Sequence, residues 1–274
     1  MPALDVLTHW PVPNVAAAVL GPSGVLDSYG DTTARFALAS VTKLLAARAA
    51  QVAVEEGAME LETEAGPPNS TVRHLLAHAA GYEMHSAKVL AEPGTRRIYS
   101  NHGFAVLAGV LERESCIAFG AYLTESVLEP LGMADTVLEG GAQAAGYGAI
   151  STVDDLAAFA GDLLVPATVS ARMHEEATTV QFPGLDGVLP GFGPQRPNDW
   201  GLGFEIRNGK SPHWTGKTNT TGTYGHFGQS GTFLWVDPGA DLALIVLTDR
   251  DFGDWAHAVM PSLSDEVLRE FERD

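Results

Sequence analysis

Phe36-Ala37-Leu38-Ala39-Ser40-Val41-Thr42-Lys43-Leu44-Leu45-Ala46-Ala47-Arg48-Ala49-Ala50-Gln51 is the stretch on which the reading of this chain turns. Residues 36–39 form a short apolar lead-in, read as a strand or turn. Residues 44–51 are rich in Ala and Leu and fit a buried helix rather than a solvated one. Between them, Ser40 and Lys43 stand three residues apart, on one face of a helix and about one turn from each other. A serine hydroxyl is a weak nucleophile, and a lysine held in a low dielectric can lose its proton and act as the base it needs. At the first turn of an inner helix, unpaired backbone N–H groups also point outward, where they suit an oxyanion. The tetrapeptide alone is equally compatible with an N-cap serine and a surface lysine. Its nearly charge-free flanks favour the buried reading.

Working outward, the chain has 274 residues and a net charge of −18. That length supports one large domain with an ample core. The acidic balance repels phosphate backbones and anionic lipid, so neither nucleic acid nor membrane is expected as a partner. A small anionic substrate needs a local cation to overcome the field. Cys116 is the only cysteine, which excludes an intrachain disulfide. The first twenty residues lack a basic leader, the apolar run Val15 to Leu20 is too short for a signal core, and a cytoplasmic location is expected. Neither a cofactor nor a metal is expected. His74 and His78 are spaced i, i+4, but no Glu lies between them in the manner of a zinc-binding H-E-x-x-H.

Val12 to Leu20 and Val25 to Tyr29 read as a hairpin around Gly21-Pro22-Ser23-Gly24. Helices are expected over Val41 to Glu56, from Ser70 or Thr71 through His78, over Phe104 to Glu114, Ala118 to Val127 and Leu156 to Leu164, and at the C-terminus over Ser262 to Phe271. Residues 181–199, rich in Gly and Pro, read as a long irregular loop. Leu202 to Ile206 reads as a strand, and Phe233 to Val236 with Leu242 to Thr248 as a hairpin. Strands, then helices, then strands again give an α+β fold: an antiparallel sheet built from N- and C-terminal segments, flanked by helices, with an inserted mainly helical lobe. The expected organisation is a single domain over 1–274. Its α/β lobe takes in about 1–35 plus 200–274, and its helical lobe about 36–199.

Two further clusters carry chemistry. Tyr99-Ser100-Asn101 follows Pro93-Gly94. Residues two apart in extended chain face the same way, so the phenol and the amide can share a cleft. A lysine nearby favours the phenolate and suits proton transfer, and Asn101 can hold a substrate amide or carbonyl. Tyr224-Gly225-His226-Phe227-Gly228-Gln229-Ser230-Gly231 precedes the last hairpin. There Gly228 and Gly231 permit close approach of a ligand to the backbone, and His226 offers a donor or cation at the sheet edge. Each cluster also has a purely structural reading, as core packing or a turn. Ser230 is not in a G-x-S-x-G elbow, because the final glycine is missing.

The order S-x-x-K, Y-S-N, H-x-G resembles the serine hydrolases of the β-lactamase and penicillin-binding-protein superfamily, particularly class C β-lactamases, the D-alanyl-D-alanine carboxypeptidases of that branch and the related esterases. The resemblance extends to Arg73–Gly81 (H-L-L-x-H-x-S-G), Glu92–Asn101 (P-G-x-x-x-x-Y-S-N), Pro130–Thr136 (P-L-G-M-x-D-T) and Ile150–Ala160. It implies that Ser40 is acylated, Lys43 helps deprotonate it, Tyr99 shuttles protons and Asn101 orients substrate and lysine. It further implies that the N–H groups of Ser40 and Gln229 form the oxyanion hole. His226 stands where many relatives have the lysine of K-T-G, with Gly228 beside it. The resemblance also implies a small-molecule acyl substrate. The spacing looks compressed, the usual N-terminal helix looks reduced, and the missing lysine weakens the hold on a substrate carboxylate. The expected activity is therefore cleavage of a small ester or amide, as by an esterase or D-peptidase. Two alternatives are a β-lactamase and a penicillin-binding sensor that does not hydrolyse. Phe182, Phe192 and Trp200 are candidates to line the cleft.

Overall fold

A computed structural model describes residues 2–271. The apolar runs at both ends of the sequence meet in one six-stranded antiparallel sheet. It comprises β1 (Val15–Gly21), β2 (Gly24–Tyr29), β8 (Glu205–Ile206), β9 (Tyr224–Phe227), β10 (Phe233–Asp237) and β11 (Leu242–Thr248), in the order β2-β1-β11-β10-β9-β8. N- and C-terminal segments join where Val15 pairs with Thr248 and Leu20 with Ala243. Side chains alternate across the strands. Ala16, Ala18, Leu234, Val236, Ile245 and Leu247 enter one core. Val19, Phe233, Trp235, Leu244 and Val246 enter the other. Burial on both faces is why β11 reads as the unbroken apolar run Leu242 to Leu247.

Between β2 and β8 the chain forms α1 (Thr42–Glu55), α2 (Val72–Leu76), α3 (Asn101–Ser115), α4 (Phe119–Leu123), α5 (Val153–Leu164) and α6 (Ala171–Thr178). A small sheet of β3 (Phe36–Ala37), β5 (Ala149–Ser151) and β4 (Val137–Leu138) and a hairpin of β6 (Gly187–Leu189) and β7 (Gly193–Gln195) lie in the same span. The alanines of α1 permit close packing. Every residue from Thr42 to Ala53 is buried, and burial of Leu44 or Leu45 contributes about 1.5–3 kcal/mol each. Four polar side chains, Thr42, Lys43, Arg48 and Gln51, are buried with it. Gln51 Nε2 donates to Leu202 O at 2.9 Å, and Arg48 Nε lies 3.2 Å from Asp162 Oδ2 on α5. The far face of the sheet is covered by α7 (Asp254–Phe271) and a short 3-10 helix, Ala3–His9. Among the described residues no helix is long and apolar enough to cross a membrane.

Several elements differ from their sequence expectation. Helix α3 starts at Asn101 instead of Phe104, because Ser100 Oγ caps it by accepting from Gly103 N at 2.9 Å. Helix α6 was not expected; Ser170 caps it, and only Met173 and Ala177 are buried, too few to mark a helical period. The Gly- and Pro-rich stretch 181–199 contains the β6–β7 hairpin. Helix α7 begins eight residues before Ser262 and runs through Pro261, because Ala256 and Met260 also pack on the sheet. The strand expected over Leu202 to Ile206 is confined to β8.

The Arg48–Asp162 pair is fully shielded from water, so removing one partner leaves a buried charge uncompensated. Asp162 also accepts the Ala167 and Thr168 N–H groups at 2.8 Å each. Asp162→Ala is expected to lower unfolding free energy by about 3–5 kcal/mol in urea titrations; a loss below about 1 kcal/mol would show that the pair carries little of the fold.

Candidate active site

Ser40 sits in a one-turn 3-10 segment, Ala39–Val41, directly before α1. Three contacts fix that turn. On one side Phe36 and Ala37 pair with Ser151 and Ile150 of β5, and Leu38 N donates to Ala149 O at 2.9 Å. From inside α1, Thr42 Oγ1 accepts from Ala149 N at 3.0 Å. On the other side, Ser230 Oγ donates to Ala37 O at 2.7 Å and Thr232 Oγ1 to Leu38 O at 3.0 Å. Gly228 makes this last approach possible, since a Cβ there would lie 2.6 Å from both Leu38 O and Thr232 Oγ1. Ala39 adopts a φ of 44°, a region L-residues seldom occupy, in the position just before the serine. The backbone N–H groups of Ser40 and Gln229 meet no acceptor among the described residues.

One turn along, Lys43 is completely buried. Its Nζ donates to Asn101 Oδ1 at 2.5 Å and to Gly146 O at 2.7 Å, and lies 4.6 Å from the centroid of the Tyr99 ring. No carboxylate pairs with it among the described residues. Burial therefore pushes its pKa well below the ordinary 10.5. Two N–H bonds are committed to acceptors, which leaves the third direction on nitrogen for a lone pair in the neutral amine. No hydrogen bond joins Lys43 Nζ directly to the Ser40 hydroxyl in this state. Gly146 was not singled out in the sequence. Its carbonyl is the second acceptor, and a Cβ there would lie 3.2 Å from Nζ and 3.3 Å from Asn101 Oδ1. The small-aromatic-small triplet Gly146-Tyr147-Gly148 was the available signal, and Tyr147 lines the cleft.

Tyr99 and Asn101 face the same cleft, as their spacing predicts, on either side of the Ser100 cap. The phenolate expectation is overturned. Burial pushes the Tyr99 pKa up, outweighing the opposite effect of a hydrogen bond with Ser40, so the group is a phenol. Its Oη has no partner of regular hydrogen-bond geometry. Of the donor or cation expected at His226, the cation is overturned. His226 is buried, its pKa falls to about 3 through burial first and Lys43 second, and the ring is neutral. Its Nδ1 donates to Phe227 O at 2.6 Å, which leaves Nε2 as an acceptor. It is on the sheet margin as expected: the two-residue β8 pairs with Gly225 and Tyr224, so the edge strand ends before His226. Behind it, His78 is neutral for the same reason and packs 4.6 Å from Tyr99 and 4.6 Å from Trp200, centroid to centroid.

Ser40, Tyr99, Asn101, His226 and Gln229 line one cavity of about 250 Å³. Of the three aromatic candidates, Trp200 lines it. Phe182 instead stacks on His74 at 4.3 Å, and Phe192 packs into the core beside Phe227 at 5.5 Å. Leu189 and Pro190 of the β6–β7 hairpin form part of the wall, as do Met84 and His85, neither of which the sequence marked as part of the site. A hollow of about 500 Å³ elsewhere is lined by Asp31, Arg35, Ser230 and Asp249, but the Ser230 hydroxyl bonds to Ala37 O and Thr232 Oγ1 and to no carboxylate. The cavity thus presents a hydroxyl and a phenol beside two unpaired N–H donors, with the desolvated amine of Lys43 buried behind Tyr99 and Asn101, a set suited to acyl transfer.

The sequence profile of the beta-lactamase family matches residues 10–269, and the chain belongs to that family, whose members are generally serine hydrolases. A crystal structure of a beta-lactamase from Mycobacterium bovis is 70% identical, with a TM-score of 0.98 over 99% of this chain and 100% of the other. Two more distant structures share the fold. EstCE1, described as a hydrolase with promiscuous acyltransferase activity, is 17% identical with a TM-score of 0.79, over 97% of this chain and 96% of its own. A penicillin-binding protein homologue from Pyrococcus abyssi is 19% identical with a TM-score of 0.74, over 97% of this chain and 75% of its own. No curated protein matches significantly.

Two outcomes follow from the geometry. Gly228→Val forces the 228–229 segment away from the Ser40 turn and is expected to lower acylation by a fluorophosphonate by about 10²–10³-fold, the effect of losing one oxyanion donor; an unchanged rate would show that the close approach is dispensable. His226, and His174 of α6 between Arg48 and Tyr224, have folded pKa values of about 3 and about 4, below the unfolded 6.5. The unfolded chain therefore takes up protons first as pH falls, and stability present above about 6.5 declines below it. Urea midpoints measured from pH 7 to pH 5 should fall, and should fall less in the His226→Gln, His174→Gln double variant.

Proposed function

We infer that this protein is an acyl-enzyme hydrolase of small esters or amides that carry no charge beside the scissile bond, with Ser40 as nucleophile. The observation that carries the reading is Lys43: wholly buried, without a carboxylate, hydrogen-bonded only to acceptors, and one helical turn from the serine. The neutral amine takes the Ser40 proton as Oγ bonds to the substrate carbonyl carbon. The N–H groups of Ser40 and Gln229 receive the oxyanion, each contributing about 3 kcal/mol by analogy with other hydrolases. Tyr99, a phenol, passes its proton to the leaving atom and recovers one from Lys43. Water then adds to the acyl-enzyme through the reverse proton path. Asn101 holds the lysine and presents its amide to the substrate, and Gly228 keeps the strand close to both.

A second reading, hydrolysis of β-lactam rings, is favoured by the 70% identical relative described as a beta-lactamase. Against it stands the neutral His226, which offers no fixed charge to a carboxylate beside the scissile bond. The fold shared with EstCE1 is compatible with ester chemistry.

Steady-state assays with p-nitrophenyl butyrate, D-amino-acid peptides and nitrocefin should give a higher kcat/KM for an ester or peptide than for nitrocefin. Faster turnover of nitrocefin would establish the second reading instead. Intact-mass spectrometry should find a transient adduct that Ser40→Ala abolishes, whereas a persistent adduct would identify a sensor. Lys43→Ala should slow acylation by about 10²–10⁴-fold with unchanged circular dichroism. Because the active base is the unprotonated amine and its pKa is depressed, kcat/KM should fall as pH drops through a value below 10.5. His226→Lys should raise turnover of nitrocefin relative to the ester.

A further inference from the structure

A second hollow, of about 240 Å³, adjoins the cavity that holds Ser40 and is lined by Met84, Leu90, Ile98, Val188, Pro190 and Arg96. Tyr99, Met84 and Pro190 belong to both walls, so the two spaces share one partition. The hollow is held open by the backbone: Arg97 N donates to Asp186 O at 2.9 Å, and Arg97 bridges to Gly187, which carries Val188 and Pro190 over the segment 96–98. Leu90 and Val188 expose about half of their surface there, 51% and 48%. Neither packs away in the core, and together they give the hollow an apolar floor with no hydroxyl, amide or carboxylate side chain except the phenol of Tyr99.

Its two cations are not equivalent. Arg97 is buried and donates to the carbonyls of Ala77, Gln181, Phe182 and Asn198, so its guanidinium is occupied. Arg96 is exposed and makes no ion pair or side-chain hydrogen bond among the described residues. In the first cavity Lys43 is desolvated and His226 neutral. Arg96 is therefore the free positive charge of the whole cleft, in a chain whose net charge is −18.

We propose that this hollow is a leaving-group subsite for an apolar arm of several carbons ending in an anion, a carboxylate by preference, held at Arg96. The proposal rests on the acyl-enzyme reading above. When the acyl carbon to leaving oxygen bond breaks and Tyr99 gives that oxygen its proton, the atoms attached to the oxygen lie past Tyr99, on the side of the second hollow. The acyl half stays with Ser40. The substrate is then uncharged at the scissile bond and anionic at a distance.

The test compares 6-acetoxyhexanoate with its uncharged methyl ester, which share the acetyl group and the arm. For the unmodified enzyme at low salt, kcat/KM for the carboxylate should exceed that for the methyl ester by about threefold, the effect of one exposed ion pair. The ratio should fall to about one in Arg96→Ala, invert in Arg96→Glu, and approach one in 0.5 M salt. A ratio of one in the unmodified enzyme, or one unaffected by Arg96→Glu, would overturn the proposal while leaving ester hydrolysis by Ser40 intact. If neither ester is turned over, the acyl-enzyme reading fails separately. The subsite is then read by NMR titration of 6-acetoxyhexanoate into Ser40→Ala and into Ser40→Ala, Arg96→Glu: about threefold weaker binding to the second sustains it, and equal binding overturns it.

Discussion

The desolvation of Lys43 is the constraint that organises this site. An ammonium stripped of water needs a nearby negative charge, and none is supplied among the described residues. Asn101 and Gly146 offer only neutral oxygens, so the amine gives up its proton well before an ordinary lysine does. The neighbours follow the same logic. Burial lowers the pKa of His78 and His226 and raises that of Tyr99. Four ionisable groups share a small volume, and burial shifts each of them toward its uncharged form. In such a set a lasting net charge in the low-dielectric interior is disfavoured.

Keeping the serine beside that amine falls to the backbone. The Ser40 turn is clamped between β5 of the small sheet and the end of β9 of the large one. Neither clamp uses a residue that would react. Leu38 contributes its N–H and its carbonyl, Ala37 a carbonyl, and Thr42 a hydroxyl turned inward. The start of β8 only at Glu205 matters as much, because its two residues pair with Gly225 and Tyr224 and leave His226 without an edge-strand partner on that side. The large sheet therefore both carries the core and leaves its margin open at one place.

Much of this was legible from sequence because the decisive signals are local. The pair Ser40 and Lys43, the Tyr99 and Asn101 spacing and the glycine at 228 each follow from a short motif. The two-faced burial of β11 follows from one apolar run. What escaped is set by distant contacts. Gly146 matters only because its carbonyl meets a lysine a hundred residues earlier, and Met84 and His85 line the cleft only because Asn101 and His102 N–H groups bond to Met84 O. The ionisation states escaped for the same reason. A histidine is ordinarily a candidate cation, and only the depth of burial, invisible in sequence, converts His226 into a neutral acceptor. The stretch 181–199 lacked periodicity because its hairpin strands are three residues each.

Family membership accounts for the general serine-hydrolase class and leaves selectivity to the charges around the cavity. A carboxylate drawn into the cavity beside Ser40 would lose hydration and gain no cation, a cost that burial makes steep. The strongly negative chain repels the same group at longer range. Both effects weaken toward the rim, where Arg96 stands exposed and free. The neutral His226 therefore does more than withhold one contact. It makes the reacting end of the cleft neutral and leaves the exposed rim as the place where an anionic group can be held.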